Sequence, residues 1–225
     1  MGTETLNFET QNGPTTAYVA LPDPTDSAGP AVLLIHEWWG INDHIRDLAG
    51  RYAAEGFICV APDLYRGTVA RDQEHASQLM HDLPLEDGID TITRAAEETK
   101  RKFGEGKQGI TGYCMGGTFA LRAACEIHTF AAAAPFYGDI PEEATLARLM
   151  VPTLFIAGAR DKWINPEKVS ELKEAAHKYN LPVEVVSYDA DHAFFNDTRA
   201  EVYNAAAAAD AWRRVLDLFR KRLLS

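Results

Sequence analysis

The chain has 225 residues, of which 46% are apolar and 24% are charged, and these proportions are typical of a soluble folded domain. A formal net charge of -11 argues against nucleic acid or an anionic membrane surface as the main partner. No apolar run approaches the roughly 20 residues of a membrane span, and the polar start lacks a secretory signal pattern. The 3 cysteines suggest no disulfide framework, so we expect a cytoplasmic protein.

The first predicted elements are the two strands of a hairpin, at residues 3–8 and 15–21. Asn12, Gly13 and Pro14 between them form a turn signal. The following stretch at 22–30 is rich in proline, glycine, aspartate and serine, so it predicts a linker to the main body.

Buried strands then alternate with amphipathic helices. A continuous apolar run predicts a buried strand at residues 31–36, and further strands are predicted at 57–61, 109–113, 130–135, 153–157 and 183–188. Apolar residues at a spacing of three to four predict helices at 43–55, 72–81, 86–102, after Cys114, at 166–179 and from 205 to 223. Asn165 is the expected N-cap of the helix that Pro166 opens.

This alternation predicts an α/β fold with a mostly parallel central sheet and helices on both faces. The connecting segments are too short for a separate lid domain, so we expect one domain over residues 1–225. Ligands in such sheets bind beyond the carboxyl ends of the strands. Residues directly after each strand are therefore the candidates for chemistry.

The strongest candidate is Cys114, in the sequence Gly112-Tyr113-Cys114-Met115-Gly116. This pattern, placed after a strand and before a helix, has the form of a nucleophile elbow with cysteine as the nucleophile. The helix N-terminus behind the thiol favours its thiolate form. On the motif alone, a buried cysteine in a glycine-rich turn remains the alternative. Cys59 and Cys125 are expected to be core residues.

Asp161 and His192 each follow a later predicted strand. Singly, each could be an ordinary loop residue. The chain order of nucleophile, acid and histidine is that of α/β-hydrolases, so Cys114, Asp161 and His192 together predict a catalytic triad. His192 would take the thiol proton, and Asp161 would hold the imidazole in the required tautomer.

The loop after the first buried strand adds Glu37 and Trp38. In this fold that loop donates one N–H group to the oxyanion, so we assign the two donors to the backbones of Trp38 and Met115. A carboxylate at Glu37 is unusual beside a thiolate because like charges repel. A solvated loop glutamate is the alternative interpretation.

The sequence resembles the dienelactone hydrolase family (carboxymethylenebutenolidases) from residue 31 to the C-terminal helix. The motifs that carry the resemblance are His36-Glu37-Trp38-Trp39-Gly40-Ile41-Asn42, Ala61-Pro62-Asp63-Leu64-Tyr65, Gly112-Tyr113-Cys114-Met115-Gly116-Gly117, Gly158-x-x-Asp161 and Asp191-His192-x-Phe194. The resemblance implies a Cys-His-Asp hydrolase that opens an enol-lactone. It also implies that Glu37 pairs with the thiol and helps to form the thiolate when substrate binds.

The sequence departs from that family where two arginines hold the substrate carboxylate. Asn196 stands at one of these positions and Gln73 at the other, although Arg71 is nearby. Without a bidentate guanidinium clamp, recognition of an anionic lactone is weakened. An aromatic pocket is the expected replacement, and its candidate residues are Trp38, Trp39, Tyr137, Phe194 and Phe195. The expected partner is therefore a small ester or lactone.

Other site types have weaker support. His36-Glu37 begins like a zinc-binding H-E-x-x-H motif, but Gly40 occupies the place of the second histidine, so we expect no metal and no cofactor. A redox-sensing protein that uses Cys114, or a non-catalytic binding module, remains the alternative function. The expected state is a monomer or a small homo-oligomer.

Overall fold

The computed structural model describes residues 2–23 and 29–224, so residues 24–28 of the predicted linker lie outside the described part. The described residues form two compact units, Met1–Gly109 and Ile110–Ser225. The single domain over 1–225 stays a prediction. Among these residues, no helix combines the length and the apolar character needed to cross a membrane.

The first unit combines a hairpin with two buried strands. Its elements are β1 (Gly2–Thr10), β2 (Gly13–Leu21), β3 (Ala31–Ile35), α1 (Asp43–Ala54), β4 (Ile58–Pro62), α2 (Gln73–His81) and α3 (Leu85–Phe103). The strand order is β1-β2-β4-β3. The β1–β2 and β2–β4 pairs are antiparallel, whereas β3 and β4 are parallel. Every residue of β3 and β4 is buried, as their continuous apolar runs predict.

The predicted hairpin is confirmed with a small shift in its turn. Thr10 pairs with Gly13, so Gln11 and Asn12 alone form the loop. Gly13, at φ +103°, is the first residue of β2 instead of the centre of the turn. A positive φ at this position suits glycine, which has no Cβ to clash.

The second unit contains parallel strands and the helices that connect them. Its elements are β5 (Gln108–Tyr113), α4 (Met115–Glu126), β6 (Phe130–Phe136), α5 (Glu143–Leu146), β7 (Thr153–Gly158), α6 (Pro166–Tyr179), β8 (Val183–Tyr188) and α7 (Ala205–Leu223). The strand order is β5-β6-β7-β8, and β6–β7 and β7–β8 are parallel pairs. The segments that follow these strands therefore meet at one edge of the sheet.

Local sequence signals explain most of these elements. The Asn165 side chain accepts a hydrogen bond from the Lys168 backbone N–H at 3.0 Å, and Pro166 is the first residue of α6, as predicted. The buried face of α7 includes Val215, Phe219 and Leu223 at the expected spacing. The sequence did not predict α5, because its 4 residues are too few to show a helical period.

Candidate active site

Cys114 occupies a strained turn between β5 and α4. Its backbone has φ 57° and ψ −119°, a conformation that non-glycine residues rarely adopt. The Cys114 N–H donates a hydrogen bond to the Phe136 carbonyl at 3.1 Å, and the Cys114 carbonyl accepts one from the Thr118 N–H at 3.1 Å. These bonds hold the turn in place. The thiol side chain is half-buried and lies outside any disulfide.

Two glycines allow the helix behind Cys114 to approach the sheet. A Cβ atom on Gly117 would lie 2.2 Å from the Phe136 carbonyl oxygen. A Cβ atom on Gly138 would lie 2.1 Å from the Gly117 carbonyl carbon. Neither contact is possible for a larger residue, so the first turn of α4 packs directly on the end of β6. Met115 begins that turn and is buried.

Asp161 and His192 form a hydrogen-bonded pair at the ends of β7 and β8. The distance between His192 Nδ1 and Asp161 Oδ2 is 2.6 Å. Asp161 Oδ1 accepts hydrogen bonds from the backbone N–H groups of Trp163 at 2.8 Å and Ile164 at 3.0 Å. His192 Nε2 is buried and has no hydrogen-bond partner within residues 2–23 and 29–224. A neutral imidazole that donates through Nδ1 leaves Nε2 as a proton acceptor.

The environment of Asp161 favours its charged form. Burial acts to raise the pKa of the carboxyl, but the hydrogen bond and charge of His192, together with the two backbone N–H groups, outweigh it. The pKa of Asp161 therefore lies below its ordinary value. An ionised carboxylate at this position orients the imidazole and stabilises an imidazolium.

The loops that carry Asp161 and His192 are joined through their backbones. The Ala159 N–H donates to the Tyr188 carbonyl at 2.7 Å, and the Arg160 N–H donates to the Ala190 carbonyl at 3.0 Å. A Cβ atom on Gly158 would lie 2.6 Å from the Ala190 oxygen. The glycine of the Gly158-x-x-Asp161 motif therefore permits the close approach that brings acid and histidine together.

Two aromatic rings contact the His192 imidazole. Tyr137, which follows β6, lies with its ring centroid 5.1 Å from that of His192. The Trp163 ring also contacts His192, at a distance of 5.0 Å between the ring centroids. Tyr137 was predicted as a site residue, but Trp163 was not, although it lies two residues after Asp161. Its position in a loop gave no periodic signal that could single it out.

Phe194 and Phe195 are buried beneath these residues. Phe194 packs on Tyr137 and Tyr188, at centroid distances of 5.6 Å and 5.5 Å. Phe195 packs on Tyr113 and Phe136, at 5.2 Å and 5.1 Å. Both rings therefore support the ends of the strands, and their predicted role as pocket residues stays a prediction.

In the first unit, the residues after β3 form a tight turn around Glu37. The His36 imidazole accepts a hydrogen bond from the Leu64 N–H at Nε2 (3.1 Å), so the ring carries its proton on Nδ1 and donates it to the Glu37 carbonyl (2.7 Å). Burial lowers the pKa of His36, which outweighs the opposite effects of that carbonyl and of Asp63. Both ring nitrogens are engaged, so His36 has a structural role and does not present a nitrogen to a metal.

The same turn depends on Gly40, which has φ +86°. A Cβ atom there would lie 2.6 Å from the Thr68 carbonyl oxygen. Glu37 itself is only 2% exposed, which excludes the solvated loop glutamate of the alternative interpretation. Trp38 and Trp39 are half-buried and contact each other edge to face at 5.2 Å.

The two residues that stand in place of the family arginines, and the nearby Arg71, differ in their burial. Asn196 is buried, and its side-chain oxygen accepts hydrogen bonds from the Thr198 hydroxyl at 2.6 Å and the Thr198 N–H at 3.0 Å. The Arg71 side chain is 80% exposed and lies 3.9 Å from the Asp72 carboxylate. Gln73 is exposed at the start of α2. Because its side-chain oxygen is hydrogen-bonded to Thr198, Asn196 stabilises its own loop.

The remaining thiols are unsuited to nucleophilic chemistry. Cys59 and Cys125 are both buried, and burial raises the pKa of each, to about 12 for Cys125. A thiol with such a raised pKa is protonated at neutral pH and unreactive. Among residues 2–23 and 29–224, no group of three or more His, Cys, Asp or Glu side chains is placed to hold a metal ion.

The sequence is similar to those of known proteins over nearly its whole length. The sequence model of the dienelactone hydrolase family matches residues 15–223. A protein of Aquifex aeolicus named "Putative carboxymethylenebutenolidase" is 32% identical over 230 residues, which cover 97% of this chain and 98% of the relative. A protein of the same name from Yersinia pestis is 31% identical over 226 residues, covering 93% of this chain and 84% of the relative.

A solved structure provides the corresponding comparison of the fold. It is described as a "Putative Dienelactone Hydrolase" from Klebsiella pneumoniae and is 29% identical, with a TM-score of 0.89. The match covers 98% of this chain and 100% of the other. The predicted α/β-hydrolase fold, with a mostly parallel sheet, is confirmed.

The lowered pKa of Asp161 predicts a pH-dependent contribution to stability. Because the folded state favours the ionised carboxylate, this contribution is present above the ordinary pKa and is lost as pH falls through the folded pKa. We expect Asp161→Asn to lower the free energy of unfolding at neutral pH, and the difference from wild type to shrink below about pH 4. Urea unfolding between about pH 3 and pH 7 measures this.

The matched control for this experiment is Glu171→Gln, which removes an exposed carboxylate of α6. Its difference from wild type at neutral pH should be small, because the side chain is exposed. A constant difference between wild type and Asp161→Asn over the whole pH range would contradict the assignment.

Proposed function

Because this chain belongs to the dienelactone hydrolase family, we propose that it is a cysteine-dependent hydrolase of small esters or lactones. The observation that carries the proposal is the strained backbone of Cys114 at the start of α4, on the sheet edge where Asp161 and His192 are hydrogen-bonded to each other. The chain is a hydrolase by family. The Cys114-His192-Asp161 triad and a thioester intermediate are the specific parts of the proposal.

Cys114 has the role of the nucleophile. Backbone strain at a non-glycine residue persists only where the surrounding structure holds it, and such residues cluster at functional sites. The partial positive charge at the N-terminus of α4 favours the thiolate over the thiol. Cys114 is the half-buried thiol of the chain, whereas Cys59 and Cys125 are fully buried.

His192 and Asp161 have the roles of general base and orienting acid. The short hydrogen bond from Nδ1 to Asp161 fixes the tautomer and leaves Nε2 to accept the thiol proton. A catalytic hydrogen bond between nucleophile and base often tightens only when substrate is bound. The Nε2 atom, which is buried and has no hydrogen-bond partner in the described part of the chain, supports this role.

The reaction proceeds in two half-reactions. Cys114 Sγ attacks the carbonyl carbon, the new C–S bond forms, and the C–O bond to the leaving group breaks as His192 protonates the leaving oxygen. Water, deprotonated by His192, then attacks the thioester, releases the carboxylic acid product and restores the thiol. The backbone N–H groups of Trp38 and Met115 stabilise the oxyanion in both steps, and Met115 fits this role because it begins α4.

A substrate with an uncharged end fits the chain better than an anionic lactone. Asn196 has no positive charge, and its side-chain oxygen is engaged by Thr198. Arg71 is exposed to solvent beside the Asp72 carboxylate, which offsets its charge. The predicted pocket residues Trp39, Tyr137, Phe194 and Phe195 are aromatic, and such rings favour apolar substrate groups.

Glu37 has the role of assisting thiolate formation when substrate binds. Its burial and the two hydrogen bonds that its carbonyl accepts, from His36 Nδ1 and from the Gly40 N–H at 3.2 Å, support a fixed position. The family resemblance supplies the pairing with the thiol.

The test of the function compares cis-dienelactone with a neutral short-chain ester, using Cys114→Ala as the blank. We expect faster turnover of the neutral ester, and a loss of at least about 10³-fold in kcat/KM in Cys114→Ala, because the nucleophile is gone. Cys125→Ala, which removes a buried thiol, is the matched control and should keep wild-type rates.

The other outcomes separate the alternatives. Cys114-dependent turnover of cis-dienelactone alone would keep the mechanism but overturn the preference for an uncharged substrate. Turnover unchanged in Cys114→Ala would overturn the mechanism. Peroxide consumption that depends on Cys114 and an added thiol reductant, with no ester hydrolysis, would favour the redox-sensing alternative.

For Glu37 we expect Glu37→Gln to lower kcat/KM by about 10-fold and to change the acidic limb of its pH profile, because a carboxylate that assists proton transfer is replaced by a neutral amide. The pH dependence of kcat/KM for the neutral ester, compared with wild type, is the measurement. A matched variant is Glu55→Gln, which changes the C-cap residue of α1. A profile of Glu37→Gln with wild-type shape would contradict this role.

A further inference from the structure

Trp163 is an exposed tryptophan with two separate links to the candidate catalytic pair. Its residue surface is 59% exposed, which is unusual for so large an apolar side chain. Its backbone N–H donates to Asp161 Oδ1 at 2.8 Å, and its indole contacts the His192 ring at 5.0 Å between centroids. The backbone therefore binds the acid while the side chain contacts the base.

We propose that Trp163 is a positioning residue that holds the His192 imidazole in its productive orientation during proton transfer. The inference rests on the proposed function, in which His192 accepts the thiol proton. The imidazolium formed in that step carries a positive charge next to the indole. The face of an indole ring is electron-rich and attracts a cation more strongly than other side-chain rings do.

The His192 imidazole is oriented by one hydrogen bond and by contacts with two aromatic rings. The hydrogen bond to Asp161 fixes one ring atom, Nδ1, so the orientation of the imidazole plane also depends on the side chains that pack against the ring. Tyr137 contacts the ring at 5.1 Å, with the two ring planes at 60°. Trp163 is the second ring in contact, with its plane at 53° to the imidazole. Removal of the indole takes away this contact and leaves the Tyr137 contact in place.

The neighbouring charged side chains of Arg160 and Asp161 interact with side chains other than that of Trp163. The Arg160 guanidinium, just before Asp161, forms ion pairs with Asp189 and with Asp191, the latter at 3.4 Å. Asp161 is the carboxylate that hydrogen-bonds to the imidazole. Substitution of the Trp163 side chain therefore changes a ring contact and removes no charge from this set.

The experiment uses three substitutions that differ only in the side chain, Trp163→Phe, Trp163→Leu and Trp163→Ala. Each variant keeps the backbone N–H group of residue 163, which donates a hydrogen bond to Asp161. Phenylalanine keeps an aromatic face, whereas leucine is apolar without one. We expect kcat for the neutral ester to fall about 3-fold in Trp163→Phe, about 10-fold in Trp163→Leu and further in Trp163→Ala, with KM within about 2-fold of wild type.

A second measurement needs no substrate. The rate at which iodoacetamide alkylates Cys114, followed by peptide mass spectrometry, reports thiolate formation. We expect the same order among the Trp163 variants. Tyr203→Leu, which removes another exposed aromatic ring, is the matched control and should keep the wild-type rate.

Three results would overturn the inference. They are equal rates for Trp163→Leu and Trp163→Phe, a raised KM with unchanged kcat, and alkylation of Cys114 at the wild-type rate in all three variants. The second of these would mean that the indole binds substrate instead of positioning His192.

The alkylation of His192→Ala separates this inference from the proposed function. If that variant alkylates Cys114 as fast as wild type, His192 does not activate the thiol, and the proposed function itself fails. If His192→Ala is slow and Trp163→Leu is as fast as wild type, the inference alone fails. Urea unfolding of every variant excludes a folding defect as the cause of a lower rate.

Discussion

The close approach of backbone to backbone at the ends of the parallel strands is the constraint on which the candidate site depends. Gly117 lies against Gly138 and the Phe136 carbonyl, and Gly158 lies against the Ala190 carbonyl. A single Cβ atom at any of these glycines would separate the segments that carry Cys114, Asp161 and His192. The glycines therefore set the geometry, and the reactive side chains occupy the positions it provides.

Backbone strain accompanies this geometry. Cys114 (φ 57°), Tyr137 (φ 36°) and Ala193 (φ 62°) all have positive φ without being glycine. They follow the ends of β5, β6 and β8, and Tyr137 contacts the His192 ring. Each such conformation costs on the order of 1–3 kcal/mol, and it persists because hydrogen bonds such as Cys114 N–H to Phe136 hold the turn. The rest of the parallel sheet supplies the stability that offsets this strain.

The sequence predicted the fold and the chain order of the site because both depend on strong local patterns. The apolar run of β3 is buried along its whole length, and the Asn165-Pro166 start of α6 is a direct chemical signal. The position of Asp161 and His192 after successive strands also followed from the alternation of elements. Their 2.6 Å hydrogen bond confirms that these two residues meet.

Other features could not be predicted because they depend on contacts between distant segments. Trp163 is a loop residue whose indole contacts the ring of His192, a residue of a different loop. The structural role of His36 requires the backbone N–H of Leu64, which lies in the loop after another strand. No periodicity or motif in a single sequence encodes these partners.

The central claim is that Cys114 carries the acyl group during turnover. Rapid-quench peptide mass spectrometry of the wild-type protein reacting with a neutral p-nitrophenyl ester tests it most directly. The account predicts a transient acyl mass on the peptide that contains Cys114, cleaved by hydroxylamine as a thioester and absent in Cys114→Ala. Turnover with the acyl group on another residue, or with no acyl-enzyme at any time, would contradict it.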